Sequence, residues 1–367
     1  MDVQQVMVRF GGRYSGAKRA GALMLVSAVV DARLRREVAE GVRPRPEYLL
    51  LEADYGVQLL DWSRLPGPRR GRSGWRSVVH VAAALRGLSE YEVVFSDGEH
   101  VGIPLAFALR ALGITTPHLV LGHHLTTRAK VPLIHNLRAH QGMARILVHS
   151  SFQQELAHRE LGIPAAKLDY VPYYADTEFW HPTGATQEPL VVAAGREHRD
   201  YATLAEACRG LPVRVFVAAG SIHSPAASGR DPSEWPSNFE HGFADYRRLR
   251  DLYARASVIV VPLTETDFQA GVTTALEAMA MGQAVIVTAT RGQSGVIRDG
   301  LTGITVKPGD AAALAAAVKH LLDRPDERRR LGRAAREAVI EGYSVEDYSR
   351  RLAWHLADLS TAKPAAA

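Results

Sequence analysis

A single cysteine, Cys208, stands among 367 residues, so the chain can form no internal disulfide and no cysteine-built metal site. A hydrophobic run of bilayer length is missing too. The longest apolar stretch, residues 20–30, is of strand or core-helix length. Aromatic residues make up only 7%, and no basic stripe is interleaved with them, which argues against nucleic-acid binding. No aspartate pair or Cys/His cluster is laid out for a divalent metal. Repeats and heptads are absent, and residues 1–5 lack the basic-then-apolar layout of a signal peptide. The expectation from these absences is a cytoplasmic protein that works without a metal or cofactor.

What is present is the balance of a globular protein, 47% hydrophobic and 23% charged. The length exceeds one ordinary core and fits two domains. Forty-four basic against 39 acidic residues give a net charge of +5, a mild excess that suits anionic ligands such as nucleotide diphosphates.

Strand-like and helix-like runs alternate almost from end to end, the pattern of a parallel α/β fold. In the first half strands are expected at Val6–Phe10, Tyr48–Glu52, Glu92–Ser96, His118–Leu121 and Arg145–His149, with helices near 16–39, 76–87, 101–112, 132–142 and 151–161. Prolines 172, 182 and 189 mark a loop-like stretch. Beyond it strands resume at Leu190–Ala194, Val213–Val217, Ser257–Val261 and Ala284–Thr288, and two helices close the chain near 324–342 and 345–360.

The stretch with most chemistry runs from Phe268 to Gly282. It follows a buried strand, turns through Gly271 and becomes a helix carrying Glu277. A strand–turn–helix junction offers open backbone N–H groups and the positive end of the helix dipole to an anion. A carboxylate on the second turn can accept hydrogen bonds from a pair of ribose hydroxyls. Spacing alone leaves open a helix merely packed on a sheet, with Glu277 solvated.

This stretch resembles the donor site of retaining GT-B glycosyltransferases, group four, whose C-terminal domain is of the glycosyl transferases group 1 type. The likeness continues through Met281–Gly292 and Asp299–Asp310. Upstream, Gly195-Arg-Glu-His-Arg-Asp-Tyr-Ala-Thr-Leu204 is similar to the family's glycine–arginine loop, and 149–152 and 171–182 to its segment entering the linker. The resemblance is dense over about 145–345. It implies a GT-B fold of two Rossmann-like domains facing a central cleft, with the C-terminal helix returning to the N-terminal domain. The implied boundaries are 1–174 (acceptor side), a linker at 175–188, 189–344 (nucleotide-sugar donor side), a crossing helix at 345–360 and a disordered tail at 361–367.

By the same resemblance Arg196 and Arg199 grip the donor diphosphate, Glu277 holds the ribose, and the amides of Gly271, Val272 and Thr273 support the leaving phosphate. Three positions depart from the family. Gln269 replaces its first glutamate, eight residues before Glu277, and an amide can neither carry negative charge nor act as a base. Arg199 stands where a lysine is usual, and arginine can still pair with phosphate. Gly295 stands where a glutamate is frequent.

In the first half, Gly16, within Tyr14–Arg19, matches the family's loop-to-helix glycine that approaches the donor; Gly11 and Gly12 compete for that role. His123, at the end of the fourth strand, matches a histidine facing the reacting sugar, so His123 and Gln269 are the expected catalytic positions. Arg69, Arg70 and Arg72, then Trp75, Arg76, Val78 and Val79, form a basic segment leading into an amphipathic helix. Such a segment is a solvated loop or a weak peripheral contact at the inner membrane surface.

The expected activity is metal-independent, retaining transfer of a hexose-type sugar from a UDP- or GDP-sugar to a hydroxyl acceptor that the sequence does not identify. Two alternatives stay open: a sugar-nucleotide epimerase or hydrolase on the same fold, and a degenerate, non-catalytic partner protein.

Overall fold

The computed structural model describes residues 20–66, 73–219, 235–293 and 295–361. The chain forms two compact units. One takes the residues up to Glu40, Arg45–Pro172 and those from Glu346 onward; the other takes Gly41–Pro44 and Tyr173–Val345.

In the first unit the chain runs β1 (Ala20–Val26), α1 (Ala32–Ala39), α2 (Glu47–Tyr55), β2 (Gln58–Asp61), α3 (Ser73–Leu85) and β3 (Tyr91–Ser96). It continues through α4 (Glu99–Ala111), β4 (His118–Gly122), β5 (Arg145–Val148), α5 (Ser151–Leu161) and β6 (Leu168–Tyr170). The strands form one parallel sheet in the order β2-β1-β3-β4-β5-β6.

The second unit contains β7 (Leu190–Ala194), α6 (Tyr201–Ala207), β8 (Arg214–Ala218), β9 (Phe239–His241), α7 (Tyr246–Arg255) and β10 (Val258–Val261). Then come α8 (Val272–Ala280), β11 (Val285–Thr288), β12 (Ile304–Val306), α9 (Ala311–Asp323) and α10 (Pro325–Gly342). Its sheet is again all parallel, ordered β12-β11-β10-β7-β8-β9. Along β7, Leu190, Val192 and Ala194 enter one core cluster while Val191 and Ala193 enter the other. Both faces are thus covered by helices, and so the strand reads as an unbroken apolar run. Phe179 and Trp180, from the stretch expected as linker, are buried in the first of these clusters.

The last helix, α11 (Val345–Thr361), packs in the first unit. Its buried Tyr348, Leu352, Leu356 and Leu359 recur at helical spacing and form the apolar stripe that docks it. Arg145 adds ion pairs to Asp358 (2.9 Å) and Asp169 (3.1 Å).

Three expected elements differ. Tyr48–Glu52, expected as a strand, lies in helix α2. Pro46 caps its start and Gly56, at φ +65°, ends it, and Tyr48, Leu51 and Tyr55 are buried at helical intervals. Conversely β1 falls within the expected helix 16–39. An apolar run buried on both faces has no alternation to distinguish it from a core helix. The expected helix at 132–142 is a π-helical turn, Pro132–Asn136, followed by a 3₁₀ turn, Ala139–Gly142. The expected strand Val6–Phe10, the basic run 69–72 and the tail from 362 on lie outside the described residues.

Candidate functional site

The second sheet reverses its winding between β7 and β10, which are neighbours in the sheet although β8 and β9 lie between them in sequence. At such a point the loops leaving the carboxyl ends of the two strands diverge and open a crevice for ligands. Here those loops are residues 195–200 and 262–271. Their backbones are stitched together: the Asp200 amide donates to the Pro262 carbonyl and the Thr264 amide to the His198 carbonyl, both at 3.0 Å. His198 holds φ +54°, a left-handed conformation costly for a residue with a side chain.

Arg199 lies inside this junction and is only 8% exposed. Its Nε donates to the Ala194 carbonyl (2.8 Å), Nη1 to the Glu197 carbonyl (2.8 Å) and Nη2 to Thr274 Oγ1 (3.2 Å). The guanidinium fits between two glycines. A Cβ on Gly195 would lie 2.1 Å from Nη2, and one on Gly271 would lie 3.4 Å from Nη1. Burial lowers the Arg199 pKa from its ordinary value, but an arginine stays charged at neutral pH. Arg196, by contrast, is exposed on the same loop.

Gly271, at φ +72°, starts α8 with no side chain capping it. The first intrahelical bond runs from the Ala275 amide to the Gly271 carbonyl (3.1 Å). The amides of Val272, Thr273 and Thr274 therefore have no acceptor within the helix, which is the arrangement that binds anions.

Two residues before Gly271, Gln269 is 6% exposed, and neither its amide oxygen nor its amide nitrogen has a hydrogen-bond partner. An unsatisfied buried polar group costs about 1–3 kcal/mol, so native proteins seldom keep one without a use. The loop around it is fixed on both sides. The Gly292 amide donates to the Thr266 carbonyl (3.0 Å), Thr266 Oγ1 to the Phe268 carbonyl (2.9 Å), and Gln293 Nε2 to the Ala270 carbonyl (2.7 Å).

Glu277, on the second turn of α8, is buried rather than solvated. Burial pushes its carboxyl up to about 8, against the pull of Arg199 and the Tyr253 hydroxyl. That hydroxyl, on α7, is itself buried and lacks a hydrogen bond of normal geometry. Burial thus favours the protonated acid at Glu277, and hydrogen-bond donors of a ligand would favour the carboxylate.

In the first unit the winding reverses between β1 and β3. There Ser27 donates both its amide and its hydroxyl to Asp97, the hydroxyl at 2.6 Å. His123 follows β4, is exposed, and bonds through Nε2 to the Asp97 carbonyl at 2.9 Å. A carbonyl only accepts, so Nε2 carries a proton and is the donor in this bond. Its ring lies 5.4 Å from that of His149, which burial drives down to about 3 and so keeps neutral. Glu99 fastens the turn after His123, accepting from the His124 amide (2.6 Å) and Lys130 Nζ (3.1 Å). Burial opposes its ionisation, but Lys130, His123 and the His124 amide together hold it below the usual carboxylate range.

Of the residues singled out in the sequence, Arg199, Gly271 and Thr274's neighbours Val272 and Thr273 gather at one edge of the second sheet, with Gln269 in the same loop and Glu277 one turn on. His123 stands at the carboxyl edge of the first sheet. Gly16 lies outside the described residues. Gly295 takes φ +61°, a conformation that favours glycine over the glutamate frequent there. Sequence reasoning missed Tyr253, Asp97, Glu99 and Lys130. The run Asp97-Gly98-Glu99-His100 directly after a strand was the available signal.

Residues 238–338 match the family described as glycosyl transferases group 1. The chain is 34% identical over 102 residues to a glycogen synthase of Mycobacterium tuberculosis, covering 28% of this chain and 24% of that one. It is 33% identical over 122 residues to a D-inositol 3-phosphate glycosyltransferase of Streptomyces coelicolor, covering 29% and 26%. The chain therefore spans about a quarter of the length of these curated relatives. Among solved structures, the sucrose-phosphate synthase of Thermosynechococcus elongatus superimposes with a TM-score of 0.72 over 94% of this chain and 100% of that one, at 18% identity. Anabaena HepE, solved in complex with UDP and glucose, gives 0.69 over 92% and 99%, at 15% identity. Residues 238–338 thus match the glycosyl transferases group 1 family, and the chain has the GT-B fold.

Proposed function

We propose that this protein is a retaining glycosyltransferase that moves a hexose-type sugar from a UDP- or GDP-sugar to a hydroxyl acceptor without a metal ion. The observation that carries the reading is Gln269, a buried amide with both ends unpartnered beside the uncapped start of α8. An anion at the helix start and sugar hydroxyls at the amide satisfy both at once. In this reading the open amides of α8 and the exposed Arg196 receive the diphosphate, and Glu277 accepts the ribose hydroxyls. His123 serves the sugar and acceptor side through its Nδ1.

The anomeric C–O bond to the diphosphate breaks, a new bond to the acceptor oxygen forms on the same face, and the acceptor proton passes to the departing phosphate oxygen. Catalysis then rests on preorganised positive charge rather than on a carboxylate. That charge comes from the helix end and the arginines, which supports independence from a metal.

The test is a panel of UDP- and GDP-sugars screened for thermal stabilisation, followed by hydrolysis and transfer assays on each hit, with and without chelator. Turnover lost with chelator and restored by magnesium or manganese overturns the metal-independent reading. Stabilisation by donors without turnover favours the degenerate-partner alternative, which Gln269 keeps in view.

For peripheral membrane contact the supporting observation is α3, whose Trp75 and Val78 are 65% and 54% exposed. Among the described residues no helix is long and apolar enough to cross a membrane. Sedimentation with anionic vesicles, lost in Trp75→Ala, tests the contact.

A further inference from the structure

The ladder between β4 and β5 ends at Gly122, and there the chain turns back at once. Leu125 is buried, and a Cβ on Gly122 would lie 3.1 Å from its side chain. His124 stands beyond the ladder, so its backbone groups need partners from elsewhere. One ion pair supplies both. Glu99 Oε1, in the first turn of α4, accepts from the His124 amide at 2.6 Å, and Lys130 Nζ donates to the His124 carbonyl at 2.9 Å. Lys130 Nζ also donates to that same Oε1 at 3.1 Å. We propose that Glu99 and Lys130 are positioning residues that hold the turn after β4, and through it the ring of His123.

A buried ion pair is poor evidence of a role in stability, because apolar side chains of similar volume often serve a core as well. What apolar side chains lack is direction. Here a carboxylate oxygen and an ammonium fix the N–H and the C=O of a single residue, and Glu99, 3% exposed, is shielded from water. The same junction also holds the ring. Asp97, two residues before Glu99, accepts the His123 Nε2–H on its carbonyl at 2.9 Å, and its carboxylate is held by Ser27 at the end of β1. The His123 ring lies 5.4 Å from that of His149, whose Nδ1 donates to the Val171 carbonyl at 2.9 Å. The turn from β3 into α4 thus grips the His123 ring through Asp97 and the adjoining backbone through Glu99.

Removing one partner of the pair leaves the other's charge buried and alone, which harms fold and site together. Removing both avoids that. Glu99→Leu combined with Lys130→Met leaves no lone charge and keeps the volume, while His124 loses both of these holds.

This inference rests on the reading of His123 as a residue that serves the sugar, and the experiment keeps the two apart. The double variant, His123→Ala and the triple variant are compared with wild type. The measurements are urea unfolding, amide exchange across 122–126, kcat for hydrolysis of the UDP- or GDP-sugar that stabilises wild type most, and calorimetry with the matching nucleoside diphosphate. The double variant is expected to keep wild-type stability and nucleotide affinity but to exchange faster over 122–126. Its kcat is expected to fall on the order of tenfold or more, since a small misplacement at the reacting end is costly. In the His123→Ala background the same double change should lower kcat little, because the side chain it serves is gone.

Wild-type exchange and kcat in the double variant overturn the proposal. So does an equal loss of kcat in both backgrounds, which marks a general effect on the fold. Should the double variant fail to fold, Glu99→Gln takes its place, since it keeps the shape and loosens the grip on Lys130; the same outcomes then decide. Full turnover in His123→Ala, or a wild type that turns over no donor, removes the catalytic reading of His123. Exchange over 122–126 then decides alone, faster exchange supporting the hold on the turn and unchanged exchange sinking it.

Discussion

Gly195 and Arg199 occupy one another's space: a Cβ added to Gly195 would lie 2.1 Å from Arg199 Nη2 and 2.6 Å from its Cζ. The backbone of Gly195 also sits at φ +105°, where residues with side chains rarely go. Gly195→Ala is therefore expected to destabilise the second unit by about 1–3 kcal/mol, from backbone strain and displacement of a well-bonded guanidinium. Urea unfolding measures that loss, and donor-induced thermal stabilisation should disappear with it. Unchanged stability and unchanged donor response would show that the loop tolerates a different Arg199 position.

Gly292 makes an equally close approach in a second loop. Its Cβ would meet the Phe268 carbonyl oxygen at 2.2 Å and the Phe268 backbone nitrogen at 2.5 Å, and backbone cannot swing aside as a side chain can. Gly292→Ala should push Phe268 and Gln269 out of register while leaving the α8 core intact. The expected result is a loss of sugar turnover by on the order of tenfold or more, with nucleotide affinity changed far less, because a small misplacement at the reacting end is costly. Calorimetry with UDP beside donor kinetics checks this. A parallel fall in both quantities refutes a local effect.

How far these relationships could be foreseen depends on the range over which they act. The β7 and β10 strands, the turn at Gly271 and the helix bearing Glu277 are all written in short apolar runs and one glycine, so they were legible. So was Gln269 as a departure from an acid. The edge strands β2, β6, β9 and β12 have three or four residues each, too few for any periodicity to show. The inward turn of Arg199 was not legible either. It depends on Thr274, seventy-five residues away, and on two glycines meeting across a seam. The same holds for Tyr253, whose approach to Glu277 joins helices from different β-α units. Sequence spacing shows which residue types share an element; it does not show which side of a loop a long side chain takes.

Glu277 makes a pH prediction with a definite sign. Its folded pKa is raised from 4.5 to about 8 by burial. Between those values the folded state holds a proton that the unfolded state has lost, so stability falls as pH rises through that window and levels off above it. Glu277→Gln has no proton to lose, so its stability relative to wild type should improve steadily from acid toward pH 8. Ligand linkage runs the other way. Ribose hydroxyls favour the carboxylate, so nucleotide binding to wild type should tighten with rising pH up to about 8 and release a proton. Glu277→Gln should bind more weakly, with a flat pH dependence. Urea titrations at several pH values, with calorimetry in two buffers of different ionisation heat, test both slopes. A wild-type profile as flat as the variant's removes the case for a protonated Glu277.

Gln269 offers the sharpest test of chemistry against mere binding, because its amide stands where the resemblance places a carboxylate. If the amide only orients sugar hydroxyls, Gln269→Glu should keep measurable transfer, with altered preference among donors. Gln269→Ala should lose more, since two or three hydrogen bonds to the sugar disappear together, a loss of about 2–4 kcal/mol in transition-state stabilisation if each is of ordinary strength. Removing the amide also removes a buried unsatisfied group, so Gln269→Ala should be no less stable than wild type in the absence of donor. Stability and activity therefore move in opposite directions at this residue, which separates a ligand-facing role from a structural one. The measurement is kcat and KM for wild type and both variants across several donors, read as free-energy differences, beside urea unfolding of each. Loss of stability in Gln269→Ala would mean that the amide serves the fold. A silent wild type that Gln269→Glu switches on would make the amide itself the reason for the silence, and the enzyme assignment would pass to the degenerate-partner reading.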